Sequence, residues 1–349
     1  MIAEAAVRCG CDGYFGYPIT PQSEVMETLM ALEPWKTNGM VVLQAESEIA
    51  SINMVYGAAS TGKRAMTSSS SPGISLMSEG LSYLAGAELP CLIVNVSRGG
   101  PGLGTIQPSQ ADYFQATKGG GHGDFNLIVL APASVQEMHD FVGLGFDLAF
   151  KYRNPALILA DGVIGQMMEK VTLAEPRPRL TSAEVVQKYG SWAAAGKRGR
   201  SRNIVTSLEL DSARHEKFNL KLQAKYAELR AKEVRCEELR CEDAEYIIVA
   251  YGISARISQK AVELLRAEGV KVGLLRPITL FPFPEKEIAA RAKQLKGILC
   301  VELSAGQMVY DVRMAVCGAA PVEHFGRNGG IVHSPGEVVE AFKKFVKKS

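Results

Sequence analysis

Four polar clusters in this sequence each follow a short apolar run, and they hold the residues best suited to chemistry. They are Tyr17-Pro18-Ile19-Thr20-Pro21-Gln22-Ser23, Gln44-Ala45-Glu46-Ser47-Glu48, Thr67-Ser68-Ser69-Ser70-Ser71-Pro72-Gly73 and Asn95-Val96-Ser97-Arg98-Gly99-Gly100. Arg98 closes a run, 91–96, that is apolar except for Asn95. It can pair with a surface acid. It can equally act as a carboxylate clamp beside the flexible glycines, because its planar fork binds both oxygens. Glu48 sits near the start of a helical stretch, where a first-turn acid complements the helix dipole by about 0.3–1 kcal/mol.

Residues so far apart in sequence meet only if the elements between them form a parallel sheet, which gathers the carboxyl ends of its strands along one edge. The pattern predicts such a sheet. Helix 2–9, strand 14–17, helix 21–32, strand 40–44, helix 46–60, strand 64–67, helix 73–86, strand 90–96, strand 126–130, helix 134–149 and strand 155–160 follow in order. Strands alternating with helices of this length imply a sheet covered on both faces. Between residues 99 and 124 lie eight glycines and little periodicity. Loops of that length inside a domain are usually functional or disordered. From residue 171 to 206 the pattern gives way to Pro, Arg, Lys and Gly, including the basic run 196–202. That run reads as a solvated connector, since no aromatic residues interleave with its charges. Residues 207–241 read as an amphipathic helix with the stripe Phe218, Leu222, Tyr226 and Leu229, whose function is structural. A second α/β unit follows: strand 246–252, helix 254–268, strand 271–276, helix 285–295, strand 297–302, helix 306–317, a short strand near 322–325 and helix 336–347.

Composition narrows the function. The chain has 349 residues, 47% hydrophobic and 22% charged, with 39 Lys and Arg against 37 Asp and Glu. That near-neutral balance gives no electrostatic reason to expect nucleic acid or a membrane surface as a partner. No run approaches the ~20 apolar residues of a membrane span, and the opening residues read as an amphipathic helix rather than a signal peptide. A cytoplasmic location is expected. Seven cysteines without regular spacing argue against a disulfide framework and against a metal or cluster site on this chain. Gly57-Ala58-Ala59-Ser60-Thr61-Gly62-Lys63 matches the start of a P-loop, but Arg64 stands where Ser or Thr must hold the metal, and the stretch runs from helix into strand. Gly100-Pro101-Gly102-Leu103-Gly104 has the wrong spacing for a dinucleotide fingerprint.

Taken together, residues 17–23, 44–48, 67–73 and 98–104 resemble the alpha subunit of 2-oxoacid:ferredoxin oxidoreductases, most closely the branched-chain type acting on 3-methyl-2-oxobutanoate (2-ketoisovalerate). Gln107-Pro108-Ser109-Gln110-Ala111-Asp112 and Gly121-His122-Gly123-Asp124 belong to the same pattern. In the second unit, Val249-Ala250-Tyr251-Gly252 and Arg276-Pro277-Ile278-Thr279-Leu280-Phe281-Pro282 resemble the C-terminal domain of transketolase-type enzymes. The resemblance covers nearly the whole chain. It implies a thiamine diphosphate pyrimidine-binding domain over 1–175, a linker with a charged helix over 176–243, and a transketolase C-terminal-like domain over 244–349. Relative to the family, the chain begins within the first helix, without the usual opening strand and its Gly-Asn-Glu turn.

The resemblance also implies roles. Glu48 is expected to hydrogen-bond the cofactor's aminopyrimidine N1′, with Tyr17, Pro18, Ile19, Ser70 and Gly73 lining the same cofactor site. A carboxyl group in a largely apolar pocket can share a proton with that nitrogen. Gly57 follows Glu48 by nine residues on its helix, as in other thiamine enzymes. Thr20 and Arg98 are expected to hold the substrate's carboxylate and carbonyl, with His122 a further lining residue. The chain lacks a Gly-Asp-Gly…Asn pattern for Mg2+ and diphosphate, and lacks Cys-x-x-Cys-x-x-Cys for [4Fe-4S] clusters. Those groups are expected on a beta subunit and on a ferredoxin-like iron–sulfur subunit, with coenzyme A, a 2-oxoacid and ferredoxin as the remaining partners. Alternatives are a 2-oxoglutarate or pyruvate enzyme, or a non-catalytic assembly subunit of the same fold.

Overall fold

The computed structural model describes residues 1–197 and 199–347. Arg198, in the basic run read as a connector, lies outside the described residues. Among the described residues, twelve strands form two sheets. They are β1 (Gly13–Gly16), β2 (Val41–Gln44), β3 (Ala65–Ser69), β4 (Leu92–Ser97), β5 (Ile128–Leu130), β6 (Ala156–Asp161), β7 (Cys236–Leu239), β8 (Tyr246–Ala250), β9 (Val272–Pro277), β10 (Thr279–Phe281), β11 (Gly297–Glu302) and β12 (Val322–Gly326). The first sheet has the order β10-β5-β6-β4-β3-β1-β2, and the second β12-β11-β8-β9-β7. Every pairing is parallel except at one edge of each sheet, where β10 runs antiparallel to β5 and β7 antiparallel to β9.

The central strands of the first sheet are buried on both faces, as their continuous apolar runs require. Ile93, Val94 and Ile158 are fully enclosed. Ser69 pairs with Asn95 and Ser97 with Asp161 in register, so the polar strand ends form one row along the carboxyl edge. From β1 the chain runs outward to β2, then crosses back past β1 to β3. That reversal is a topological switch point, where the loops after adjacent strands part and leave a crevice. The Tyr17–Thr20 loop and the Ser70–Gly73 turn flank it.

The structure differs from the sequence reading at several elements. Residues 279–281, read as a proline-studded connection of the second unit, form β10 and complete the first sheet. The backbone N–H of Arg235 donates to Thr279 Oγ1 at 2.9 Å and helps hold it. The segment 207–241 divides into the helix Ser212–Lys232 and the strand β7. Leu222, Tyr226 and Leu229 of that helix are buried, and its Lys221 and Lys225 ammonium groups both reach the buried Glu88 carboxylate of the first unit. Within 171–206 lies the helix Ser182–Tyr189, started by a capping box between Thr181 and Glu184.

Candidate active site

Ser47 sets where the helix Glu48–Ser60 begins. Its hydroxyl accepts a hydrogen bond from the Ala50 N–H at 3.2 Å, a cap worth about 1 kcal/mol, and this places Glu48 at the first helical position. Glu48 is only 6% exposed, yet no hydrogen bond or ion pair joins its carboxylate to another described residue. Gly73, in the first turn of the helix Ser71–Gly86, makes room for it. A β-carbon at Gly73 would fall 2.0 Å from Ser69 Oγ and 2.7 Å from Glu48 Oε1. The buried Ser69 hydroxyl also lacks a partner among the described residues. An unpaired carboxyl and an unpaired hydroxyl therefore share one spot. Buried hydroxyls are nearly always bonded, so the orphaned Ser69 Oγ, with the Glu48 carboxyl beside it, marks where an external ligand would be satisfied.

Arg98 and Thr20 meet where β4 ends against the turn that carries Gly73. The Arg98 guanidinium is buried, with Nη1 donating to the Thr20 carbonyl at 2.8 Å and Nη2 to the Leu103 carbonyl at 3.2 Å. Its Nε is buried without a partner among the described residues. A guanidinium carries five N–H donors, so the two loop contacts leave about three for a ligand. The Arg98 backbone N–H donates to Ser71 Oγ at 3.0 Å, tying the end of β4 to the turn that carries Gly73. Thr20 itself is exposed and offers its hydroxyl freely.

The Tyr17–Thr20 loop is gripped from two sides. Opposite Arg98, Gln22 Nε2 donates to the Tyr17 carbonyl at 3.2 Å, and Gln22 Oε1 accepts from Ser68 Oγ at 2.5 Å. Ser68 in turn sits 2.8 Å from the Tyr14 hydroxyl, whose pKa burial pushes up to about 12. Tyr17 and Ile19 are half-buried and Pro18 is exposed. Ser70, expected to line the cofactor site, spends its hydroxyl on the Val96 carbonyl at 2.8 Å, so that side chain fastens the sheet edge.

His122 is not brought to this group. Gly121, its neighbour, lies against Ser78, the His122 carbonyl accepts from Ser82 Oγ at 2.6 Å, and its ring meets Tyr83 edge-on. Those residues lie five to ten positions beyond Gly73, at least ~7 Å along the helix. Gly121 and His122 lie over the second half of that helix, away from the turn that packs on Glu48.

Two polar residues of the site escaped the sequence reading although both lie inside quoted motifs. Gln22 is one, 2% exposed and fixing the loop from beneath. Asp112 is the other. Its Oδ2 accepts from Ser71 Oγ at 2.6 Å and Asn95 Nδ2 at 2.8 Å, and burial raises its pKa above the usual aspartate value. A polar side chain amid structural prolines and small residues was the available signal for each.

With this geometry in place, comparison with known proteins identifies the class. Residues 4–228 match the thiamine-diphosphate-binding family model of pyruvate flavodoxin/ferredoxin oxidoreductase, and residues 244–338 match core domain II of pyruvate:ferredoxin oxidoreductase. The chain belongs to this family of thiamine-diphosphate-binding 2-oxoacid oxidoreductases. Among its relatives, the ketoisovalerate oxidoreductase subunit VorB of Methanothermobacter thermautotrophicus is 51% identical over 339 residues, covering 97% of this chain and 94% of that protein. A solved 2-oxoglutarate:ferredoxin oxidoreductase from Magnetococcus marinus, with 2-oxoglutarate, coenzyme A and succinyl-CoA bound, superposes with a TM-score of 0.82 at 28% identity. The match covers 98% of this chain and 63% of that one. A split-gene transketolase solved as an inactive beta4 tetramer shares the fold, with a TM-score of 0.62 at 15% identity over 98% of this chain and 95% of that one. Among the described residues, no helix is long and apolar enough to cross a membrane.

Proposed function

We propose that this chain is the cytoplasmic alpha subunit of a 2-oxoacid:ferredoxin oxidoreductase. The reaction is oxidative decarboxylation of 3-methyl-2-oxobutanoate with coenzyme A to acyl-CoA, CO2 and reduced ferredoxin. The Glu48 carboxyl carries the reading: it belongs to a buried residue, is unpaired among the described residues, and packs against Gly73, whose missing side chain makes room for it. With the orphaned Ser69 hydroxyl beside it, this donor and acceptor set fits the pyrimidine half of thiamine diphosphate. When bound, that cofactor supplies the nucleophilic carbon and the electron sink for decarboxylation. Glu48 would hold a proton between its carboxyl and the ring's N1′, in a setting where little water competes for the hydrogen bond. Arg98 would take the substrate carboxylate with the donors its loop contacts leave free. Thr20, held against Arg98, would present its hydroxyl to the carbonyl oxygen.

The rest of the site belongs to partners in this reading. A beta subunit would carry the diphosphate and Mg2+ site, and a ferredoxin-like subunit the [4Fe-4S] relay to ferredoxin. The branched-chain substrate is favoured because the 51%-identical relative bears the ketoisovalerate name. The co-expressed complex, supplied with thiamine diphosphate and coenzyme A, should reduce a viologen dye fastest with 3-methyl-2-oxobutanoate when compared with pyruvate and 2-oxoglutarate. Absence of turnover with all three would sink the catalytic reading, and a preference for 2-oxoglutarate would reassign the substrate. Glu48→Gln should abolish exchange of the cofactor's thiazolium C2 proton while the complex still assembles. Unchanged exchange would show the role is misassigned.

A further inference from the structure

The second sheet has its own topological switch point. From β8 the chain runs to β9, then returns past β8 to β11, so the crevice between β8 and β11 opens at their carboxyl ends. In doubly wound sheets that crevice is where ligands bind. Here a side chain of the first unit fills it. Gln110 is 2% exposed, and its Nε2 donates to the Tyr251 carbonyl at 2.9 Å, just after β8. Its Oε1 accepts from the Leu303 N–H at 2.9 Å, just after β11, and from Ser254 Oγ at 2.7 Å. Its backbone N–H donates to the Leu303 carbonyl at 2.9 Å, and its carbonyl accepts from the Tyr251 hydroxyl at 3.1 Å. Gly252 lets the amide in, since a β-carbon there would lie 2.9 Å from Gln110 Nε2.

What Gln110 anchors is the backbone that presents Arg98. Pro108 forms an isolated antiparallel bridge with Arg98, the Gly99 N–H donates to the Gln107 carbonyl at 2.9 Å, and the Thr105 N–H donates to the Gly99 carbonyl at 2.8 Å. Gly330 of the second unit packs on the same segment, where a β-carbon would fall 2.4 Å from Gln107 Cβ. We propose that Gln110 is a positioning residue for the substrate-binding arginine, and that the second domain serves the reaction by gripping this glutamine in place of a ligand. The inference rests on the role given to Arg98 above.

The test uses the co-expressed complex carrying Gln110→Met, which keeps the volume and removes every side-chain hydrogen bond. Hydrogen exchange at the Gly99 and Thr105 amides should quicken about 10-fold while β4, β8 and β11 keep their protection. KM for the 2-oxoacid should rise about 10-fold with kcat within about threefold, because the carboxylate contact loosens before the chemistry does. Ser254→Ala removes one contact from the other side and should give a smaller change at the same two amides, which keeps the test open if Gln110→Met fails to fold. Unchanged exchange at Gly99 and Thr105 in a folded Gln110→Met variant overturns the proposal; if that variant loses protection evenly over both sheets, unchanged exchange at the same two amides in Ser254→Ala overturns it instead. If the wild-type complex turns over no 2-oxoacid, the functional reading fails, while the exchange data still decide whether Gln110 anchors the Arg98 segment.

Discussion

Gly73→Ala separates the site from the fold more cleanly than any other single change. Within a helix, replacing glycine by alanine gains about 1 kcal/mol of propensity. At Gly73 the new β-carbon lands 2.0 Å from Ser69 Oγ, 2.7 Å from Glu48 Oε1 and 2.9 Å from Glu48 Cγ. The Ser69 hydroxyl is unbonded among the described residues, so no hydrogen bond opposes its rotation. Glu48 cannot rotate away, since its stem is enclosed, and its carboxyl must shift by roughly an ångström. Overpacking of this kind costs about 1–3 kcal/mol, so the net destabilisation is about 0–2 kcal/mol. In the role proposed for Glu48, a displacement of that size would cost about 100-fold in rate. The expected result is a chain that unfolds within a few degrees of wild type, by calorimetry, in a complex whose viologen reduction falls at least about 100-fold. Gly57→Ala is the control. Nothing lies within 4 Å of a β-carbon there, so it should stabilise the chain by about 0.5–1 kcal/mol. A Gly73→Ala complex with activity within about threefold of wild type would refute the placement of Glu48 at the reacting centre.

Two further outcomes follow from buried groups outside the site. His333 is 2% exposed, neither ring nitrogen has a partner among the described residues, and burial lowers its pKa to about 4. Between pH 6.5 and about 4 the unfolded histidine takes a proton that the folded one refuses, so this stability is complete above pH 6.5 and is lost as pH falls, by about 3 kcal/mol. Urea unfolding across that range should show a shallower acid slope for His333→Phe, and an unchanged slope would show that the ring is solvated. Arg276 reaches both Glu137 oxygens at 2.7 Å and Glu237 at 2.9 Å, joining β9 to the helix Val135–Tyr152 of the first unit. Arg276→Met should cost about 2–3 kcal/mol in thermal unfolding, the upper range for a broken buried pair being discounted because Glu237 is largely exposed. A loss below about 0.5 kcal/mol would contradict that.

The alternation of strands and helices was legible because the strands of the first sheet lie between covering layers and read as continuous apolar runs. The elements that escaped were those whose pairing lies far away in sequence. Thr279-Leu280-Phe281 has no alternation of its own, and only contact with Val129 and Leu130 makes it a strand of the first sheet. Cys236–Leu239 carries two glutamates and reads as a continuation of the charged helix, until antiparallel pairing with β9 gives it an edge. The helix Ser182–Tyr189 had a local signal, Thr181 followed three residues later by Glu184, lost among the prolines and charges around it.

At the site, residue types were legible but the use of their hydrogen-bonding capacity was not. Ser69 and Ser70 are neighbours of identical chemistry. Register turns one toward the Val96 carbonyl and leaves the other unbonded beside Glu48. Arg98 reads equally as a surface-acid partner or a carboxylate clamp, yet two of its donors already hold Thr20 and Leu103 in place. Spending donors this way has a consequence for specificity. A guanidinium fixed by two backbone carbonyls cannot swing to follow a misplaced carboxylate, so in the role proposed for Arg98 it would favour substrates whose carboxylate arrives at one fixed position. On that reading, selection among substrate side chains would fall to groups facing the exposed flank of Thr20 rather than to the fixed arginine.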